Sequence, residues 1–91
     1  MITLQSKTSI PEDVLFHELD GEAVLLNLAT GKYYGLDPVG TRIWQHLTRY
    51  GQLEPVYRLL LKEYDVEQEK LLGDLIKLVE QLAEHGLLRI E

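Results

Sequence analysis

The sequence predicts an α+β fold, a three-stranded antiparallel sheet followed by three helices, and two observations support this. Up to Leu36 the chain contains short apolar and aromatic runs that are separated by Asp-Gly and Thr-Gly turns. From Asp37 onward the apolar residues recur every three or four positions, which is the period of an α-helix. Strands that precede helices are typical of the α+β class. A chain of 91 residues is long enough for one domain, which we place at 1–91.

The first two predicted strands form a hairpin. The run VLFHEL (14–19) has the character of a strand, and EAVLLNLA (22–29) is its return strand. Between them, Asp20 and Gly21 are residue types that tolerate the positive φ angles of a tight turn. An Asp-Gly pair between two apolar runs is a strong hairpin signal, so the sheet is predicted to begin here.

A third strand, KYYGL (32–36), follows a second turn at Thr30 and Gly31. The result is an antiparallel meander whose last strand has an open edge. The segment 1–13 shows little periodicity and contains Pro11, so it is predicted to be a tail or an edge segment.

The first helix is predicted to start where the pattern changes, at Asp37 and Pro38. Aspartate is a favourable N-cap, and proline is tolerated in the first position because the missing N–H would have no helical partner there. Gly51 ends this helix. The apolar residues that give the helical spacing are Val39, Ile43, Trp44, Leu47 and Tyr50.

Two further helices follow. The second is predicted to begin near Pro55, which lies in its first turn. Asp65 and Gln68 have the spacing of a capping box that opens the third helix, and this helix runs to about His85 and stops at Gly86. The chain then ends in an extended segment. The residues that the second helix is expected to bury are Val56, Leu59, Leu60 and Tyr64.

The third predicted helix has more apolar surface than a surface helix needs. At roughly 100° per residue its apolar side chains fill an arc of about 160°, whereas a stripe of about 100° is enough. The helix is either central and wholly covered, or part of the arc lines a groove for a partner. The apolar residues are Leu71, Leu72, Leu75, Ile76, Leu78, Val79, Leu82 and Ala83.

The third predicted strand contains two adjacent tyrosines and a glycine. Because side chains alternate along a strand, Tyr33 and Tyr34 must point to opposite faces, so that one can serve the core while the other lies near the surface. Gly35 weakens a strand interior but allows another backbone to approach closely. A bulge before the helix explains the same glycine equally well, and both interpretations remain open.

Composition argues against an enzyme. The chain has no cysteine, which excludes disulfides, thiolate metal sites and cysteine nucleophiles. The three histidines, His17, His46 and His85, lie in different elements and have no metal-ligand spacing. The carboxylates lie mainly on helix faces that water should cover, and no cleft that would shift their pKa is indicated. We therefore expect neither catalytic residues, nor a metal, nor a cofactor.

The charge argues against a nucleic-acid partner. The formal net charge is −6, and the basic residues are scattered rather than clustered. The third predicted helix has five carboxylates, at 67, 69, 74, 80 and 84, against Lys70 and Lys77. No run approaches the roughly 18–20 apolar residues of a membrane span. The first residues also lack the pattern of a signal peptide, so a cytoplasmic protein without a membrane partner is expected.

Three motifs together resemble the PqqD-like family, whose members serve as recognition elements for ribosomally made, post-translationally modified peptides. They are the run DGEAVLLNLATGKYYGLDPVGTRIWQHL (20–47), the helix that carries Asp74, and the late LAEHGLL (82–88). The resemblance covers nearly the whole chain, from about Pro11 to its end. The wording of LLNLATGKYYGLDPVGTRIW (25–44) is most similar to free-standing members that are found with lasso-peptide systems.

The resemblance implies a winged helix-turn-helix-like fold and a non-catalytic adaptor. In such proteins the leader peptide of a precursor is added as a strand along the third strand, against the third helix, and is delivered to a processing enzyme. In lasso-peptide systems this enzyme is similar to a transglutaminase-like leader peptidase. The leader usually offers a tyrosine and a nearby proline to an apolar pocket. Carried over by position, the peptide-binding residues are Lys32, Tyr33, Tyr34, Gly35 and Leu36 in the strand, and Leu71, Asp74, Leu75, Leu78 and Lys70 in the helix.

Three alternatives remain open at this point. A winged-helix protein can bind nucleic acid, since a fold does not decide a function. A family member can instead act as the PqqD-type chaperone of quinone cofactor biosynthesis. An open sheet edge can also serve only for self-association. Asp74 has an alternative of its own, because Lys70 and Lys77 are near enough along the helix to pair with it.

Overall fold

The computed structural model describes residues Met1–Glu91 and confirms the α+β class, with a three-stranded antiparallel sheet followed by three helices. A second, two-stranded sheet joins the two ends of the chain. The elements in order are β1 (Thr8–Ser9), β2 (Val14–Leu19), β3 (Glu22–Asn27), β4 (Lys32–Leu36), α1 (Pro38–Tyr50), α2 (Leu53–Glu63), α3 (Gln68–Glu84) and β5 (Arg89–Ile90).

The larger sheet has the strand order β2-β3-β4, so the three predicted strands form the expected meander. The turn between β2 and β3 uses Asp20 and Gly21, whose φ angles of 56° and 83° are both positive, as the hairpin requires. In the register of the sheet, Leu25 of β3 lies between Phe16 of β2 and Tyr34 of β4. These three side chains therefore share the face that packs against the helices.

The first residues form an edge strand rather than a tail. Thr8 pairs with Ile90, and Ser9 pairs with Arg89, in the small sheet β1-β5. The backbone N–H of Thr8 also donates to the carbonyl of Gly51 at 2.7 Å. The start of the chain is thus held against its end and against the end of α1.

Helix α1 begins and ends as predicted. The Asp37 carboxylate accepts a hydrogen bond from the Gly40 N–H at 2.7 Å, and Pro38 occupies the first turn. Gly51 ends the helix with a φ of 66°, and its N–H donates to the carbonyl of Leu47. Val39 and Tyr50 are exposed although they belong to the apolar spacing, so not every residue of that spacing faces the core.

The predicted capping box of α3 is wrong. The helix starts at Gln68, its N-cap is Glu67, and no side chain makes a capping hydrogen bond there. A capping box needs its glutamine at the third helical position, whereas Gln68 is the first, so Asp65 lies outside the helix. The other end fits the prediction, because Gly86 has a φ of 70° and follows the last turn.

The core lies between the sheet and the helices, and α3 contributes four fully or nearly fully buried residues to it. The remaining apolar residues of α3 are only half-buried, so the wide arc is partly covered and partly accessible. Leu59 of α2 and Tyr64, which directly follows this helix, are half-buried rather than buried as predicted. No helix combines the length and the apolar character that crossing a membrane requires. The buried α3 residues are Leu71, Leu75, Val79 and Leu82.

Candidate functional site

Strand β4 has one unpaired edge. It pairs with β3 along one side, from Ala23↔Leu36 to Asn27↔Lys32, and no strand of the chain pairs with its other side. Along an antiparallel edge, backbone N–H and C=O groups of alternate residues point outward and can bond an added strand. The open strand predicted from the sequence is therefore present.

A groove runs between this edge and α3, and we call it the β4–α3 groove. Its volume is about 440 Å³. Leu36, Val39, Ile43 and Leu78 give it apolar walls, and Asp74 lies on its α3 side. The residues that line it are Tyr34, Gly35, Leu36, Asp37, Val39, Gly40, Ile43, Asp74, Leu78 and Gln81.

Tyr34 is the tyrosine that belongs to the groove. It is half-buried, its hydroxyl donates to Gln81 Oε1 at 3.0 Å, and its ring meets the edge of His85 at a centroid distance of 5.1 Å. Tyr33 lies on the opposite face of the sheet and is 73% exposed. Alternation along the strand predicts that the two tyrosines point to opposite faces of the sheet. Which of them enters the groove depends on the face against which α3 packs.

A second depression of about 370 Å³ continues past Tyr34 toward the start of β4. Lys32 and Tyr33 lie there together with Glu84 and His85 from the end of α3. Tyr34 lines both depressions. Together they extend along all five predicted strand residues, 32–36.

The predicted helix residues fall into two groups. Asp74 and Leu78 line the groove, and Lys70 lies beside Asp74, with its Nζ 3.4 Å from Oδ2. Leu71 and Leu75 are core residues, 6% and 0% exposed, and do not line the groove. Their packing in the core holds α3 in position beside the groove.

Sequence reasoning missed the contribution of α1 to the groove. Val39, Gly40 and Ile43 line its end, together with Asp37. Val39 is exposed because it lines the open groove instead of packing in the core. The available signal was the spacing of Val39 and Ile43, which places both on one face of the helix, but the sequence pattern could not show that α3 stops short of covering it.

A side chain at Gly40 would crowd its neighbours. A Cβ atom there would lie 3.1 Å from Asp37 Oδ1 and 3.3 Å from Leu36 Cδ2. The Gly40 N–H also donates to the same Asp37 oxygen. The glycine thus lets the capping aspartate and the groove wall meet at the point where β4 passes into α1.

The chemistry of the groove is that of a binding surface. It combines an unpaired backbone edge, four apolar side chains and exposed carboxylate and amide groups. No cluster of three or more histidine, aspartate or glutamate side chains is placed to hold a metal ion. The groups whose pKa is shifted, Arg42, Glu54 and Glu63, do not line the groove.

Two solved structures are similar to this chain. One is described as TbiB1 in complex with the TbiA(beta) leader peptide, with 38% identity, a TM-score of 0.83, and coverage of 88% of this chain and 93% of that one. The other is a lasso peptide synthetase B1 complexed with the leader peptide, with 26% identity, a TM-score of 0.82, and coverage of 91% and 98%. The search of curated proteins returned no match.

The family comparison agrees with the structural one. The family model described as coenzyme PQQ synthesis protein D (PqqD) matches residues 22–88, which extend from the start of β3 to the residue before β5. The matched part contains β4, α1 and α3, the three elements that line the groove. Since the match extends over well more than half of the chain, this protein belongs to the PqqD family.

Proposed function

We propose that this protein is a non-catalytic adaptor that binds the leader peptide of a lasso-peptide precursor and presents it to a transglutaminase-like leader peptidase in the cytoplasm. The leader is added as a strand to the open edge of β4, and its side chains enter the β4–α3 groove. The observation that carries the proposal is the unpaired edge of β4 directly beside this groove.

Strand addition supplies affinity that depends little on sequence. Backbone hydrogen bonds from Lys32–Leu36 would hold any extended peptide, so selectivity must come from side-chain pockets. Alternate leader residues face the groove, where Leu36, Val39 and Leu78 offer apolar contacts. A short peptide loses conformational entropy when it becomes ordered, so a few apolar anchors dominate the binding energy.

The helix residues have unequal roles in this proposal. Leu78 contacts the leader directly, and Asp74, beside Lys70, offers a hydrogen bond or a charge to it at the rim. Leu71 and Leu75 act from the core by fixing the position of α3. A similar division applies to β4, where Tyr34 faces the groove and Tyr33 faces away from it.

The lasso pathway is favoured over the quinone cofactor pathway and over nucleic-acid binding. The two similar structures are B1-type proteins with leader peptides, one of them 38% identical to this chain. The family description refers to a quinone cofactor pathway, and that role would use the same edge with a different peptide. Nucleic-acid binding is disfavoured because α3 exposes mainly carboxylates, which repel phosphate groups.

The test is the binding of a fluorescent peptide that carries the leader sequence of the neighbouring precursor. Leu78→Glu places a charge in the groove and removes one apolar anchor, which is worth about 1.5–3 kcal/mol when fully buried. We therefore expect at least about tenfold weaker binding, measured by fluorescence anisotropy. Circular dichroism must show that the variant is folded.

The matched control is Leu61→Glu. Leu61 is another half-buried leucine that packs against the core, but it lies on α2, away from the groove. We expect it to disturb the core as much as Leu78→Glu and to leave leader binding unchanged. If folded Leu78→Glu binds the leader as tightly as the wild type does, the groove is not the binding site.

A further inference from the structure

Asn27 is one of four buried polar residues, and both polar atoms of its side chain are hydrogen-bonded within the chain. It is the last residue of β3 and is 6% exposed. Its Nδ2 donates to the carbonyls of His85 and Gly86 at 3.4 and 3.3 Å, and its Oδ1 accepts from the Ala29 N–H at 2.9 Å. Since a carbonyl only accepts and an N–H only donates, these partners fix the orientation of the amide.

The amide of Asn27 supplies donors to the end of α3. His85 and Gly86 directly follow this helix, and the carbonyl groups at the end of a helix have no helical donor. No backbone N–H of the protein donates to the carbonyl of either residue, so Asn27 is their hydrogen-bond partner within the chain. A side chain at Gly86 would crowd this contact, because a Cβ atom there would lie 2.9 Å from Asn27 Nδ2.

Asn27 also organises the turn that leads into β4. Its backbone carbonyl accepts from the N–H groups of Thr30 and Gly31 at 3.3 and 2.7 Å. Together with the hydrogen bond from Ala29 to the side chain, these contacts hold three consecutive turn residues. Asn27 is therefore the point at which the β3–β4 turn is joined to the end of α3.

The two segments that Asn27 joins both line the depression near the start of β4. Thr30 and Lys32 line it from the turn and the strand, and Glu84 and His85 line it from the end of α3. Asn27 itself does not line the depression. It therefore affects this part of the site through the residues that it holds and not through contact with a ligand.

We propose that Asn27 is a positioning residue for leader binding, which sets the distance between the end of α3 and the start of β4. The inference rests on the proposed function, in which the leader lies along the open edge of β4. A leader strand that continues past Tyr34 toward Lys32 passes this depression. Its contacts there depend on the position of the end of α3, which Asn27 holds in place.

A buried amide suits this role better than an apolar side chain does. Burial of an amide costs free energy unless its polar atoms are hydrogen-bonded, and at Asn27 they are. An apolar side chain would fill the same space, but it would leave the carbonyls of His85 and Gly86 without a donor. The directional hydrogen bonds also restrict movement of the helix end, because a buried polar network with every member satisfied is rigid.

A second link limits the movement that loss of the Asn27 amide would allow. Tyr34 contacts α3 at Gln81, through a hydrogen bond, and at His85, through its ring. Before these contacts, buried core residues hold the helix against the rest of the fold. We therefore expect only the end of α3 to shift, while residues 74–78 keep their places beside the β4–α3 groove.

The experiment measures leader binding by fluorescence anisotropy for two variants of Asn27. Asn27→Asp has the same size and keeps the acceptor for the Ala29 N–H, but it places a carboxylate oxygen opposite two carbonyl oxygens. Asn27→Ala removes the amide without adding a charge. The control is Val56→Ala, which shortens a fully buried core side chain of α2 away from the depression. Circular dichroism and urea denaturation measure the folding and the stability of each variant.

We expect both Asn27 variants, under conditions in which they are folded, to bind the leader at least about fivefold more weakly than the wild type does. Val56→Ala should lower the stability and change the affinity by less than about twofold, because it lies away from the site. In amide NMR spectra, Asn27→Asp should shift the signals of residues 28–34 and 81–87 and leave those of 74–78 unchanged. A loss of stability alone would not produce this local pattern.

Several outcomes would overturn the inference. If the folded Asn27 variants bind the leader as the wild type does, or if neither variant folds, Asn27 serves the fold alone, while the proposed function stands. If Val56→Ala weakens binding as much as they do, general stability is the cause. If the signals of residues 74–78 change as well, Asn27 does not act on the helix end alone. If the wild type does not bind the leader at all, the proposed function fails and this inference fails with it.

Discussion

The hydroxyl of Tyr34 and the side-chain amide oxygen of Gln81 are joined by a hydrogen bond of 3.0 Å that connects β4 to α3. Tyr34 lines both depressions beside the open strand, so this contact separates the β4–α3 groove from the depression near Lys32. The ring of His85, one turn after Gln81, packs against the tyrosine ring in an edge-to-face arrangement. The spacing between the sheet edge and α3 is therefore set by named side chains.

Removal of this hydrogen bond should weaken the contact between β4 and α3 while the tyrosine ring stays in the groove. Tyr34→Phe retains the ring and its contact with His85, but it loses the donor to Gln81. We expect a loss of about 0.5–1.5 kcal/mol in the free energy of unfolding, measured by urea denaturation.

A double-mutant cycle with Gln81→Ala isolates the pair. If the hydrogen bond contributes as described, Tyr34→Phe should cost much less in the Gln81→Ala background than in the wild type. Equal costs in both backgrounds would show that Tyr34 contributes only its ring.

Local signals predicted the strands and the first helix well. The Asp20-Gly21 turn and the Asp37 cap each depend on backbone geometry that few residue types satisfy, so β2, β4 and α1 could be placed to the residue. The start of α3 was misplaced because 65–69 contains several residues that can cap a helix. The pairing of β1 with β5 joins two-residue strands from opposite ends of the chain, and no local pattern indicates it.

The site was only partly predictable for a different reason. Periodicity shows that α3 has a wide apolar arc, but it does not show which part other elements cover. Leu75 and Leu78 looked equivalent in the sequence, and the structure buries the first and leaves the second in the groove. Val39 and Ile43 could not be assigned to the groove without the packing of α1 beside β4.

Two glycines should respond to alanine in opposite directions. At Gly40 a methyl group would press on Asp37 Oδ1 and Leu36, which disturbs the cap of α1. We expect Gly40→Ala to lose about 1 kcal/mol of stability, within the range of losses for a cap, and to bind the leader more weakly. Urea denaturation and fluorescence anisotropy measure the two effects.

Gly73→Ala is the matched comparison. Gly73 lies inside α3 with helical backbone geometry, and a Cβ atom there meets nothing within 4 Å. Alanine in an exposed helix interior is about 0.5–1 kcal/mol better than glycine, so the variant should be more stable than the wild type. A destabilised Gly73→Ala would contradict the open space that the structure shows at this position.

Acid should weaken the contact between α1 and α2. The Arg42 guanidinium donates hydrogen bonds of 3.0 and 2.9 Å to the two oxygens of Glu63, and His46 Nε2 lies 3.0 Å from one of them. The hydrogen bonds from Arg42 lower the pKa of the Glu63 carboxyl below 4.5, and His46 acts in the same direction, whereas desolvation opposes the shift.

The sign of the effect follows from that direction. A carboxyl group whose pKa is lower in the folded state stabilises the fold above its unfolded pKa, and this contribution disappears as the pH falls through the folded pKa. Glu63→Gln should therefore destabilise the protein at neutral pH and have a smaller effect at pH values well below 4.5. Urea denaturation of both proteins over a pH series checks this, and a difference that does not shrink in acid would exclude this carboxyl as the cause.

Leader binding should depend only mildly on salt. The groove offers backbone and apolar contacts, and its charged members are few: Asp37 is engaged in capping α1, and Asp74 lies beside Lys70 at the exposed rim. Exposed ion pairs contribute at most about 1 kcal/mol, and salt screens them. We expect the dissociation constant to change by less than about fivefold from 0.1 to 0.5 M sodium chloride, measured by fluorescence anisotropy. Asp74→Asn should remove most of this residual dependence, because Asp74 is the groove carboxylate that does not cap a helix and its pairing with Lys70 is exposed. A steep decline in affinity, as counterion release from a polyanion produces, would favour a charge-driven interaction instead of strand addition along β4.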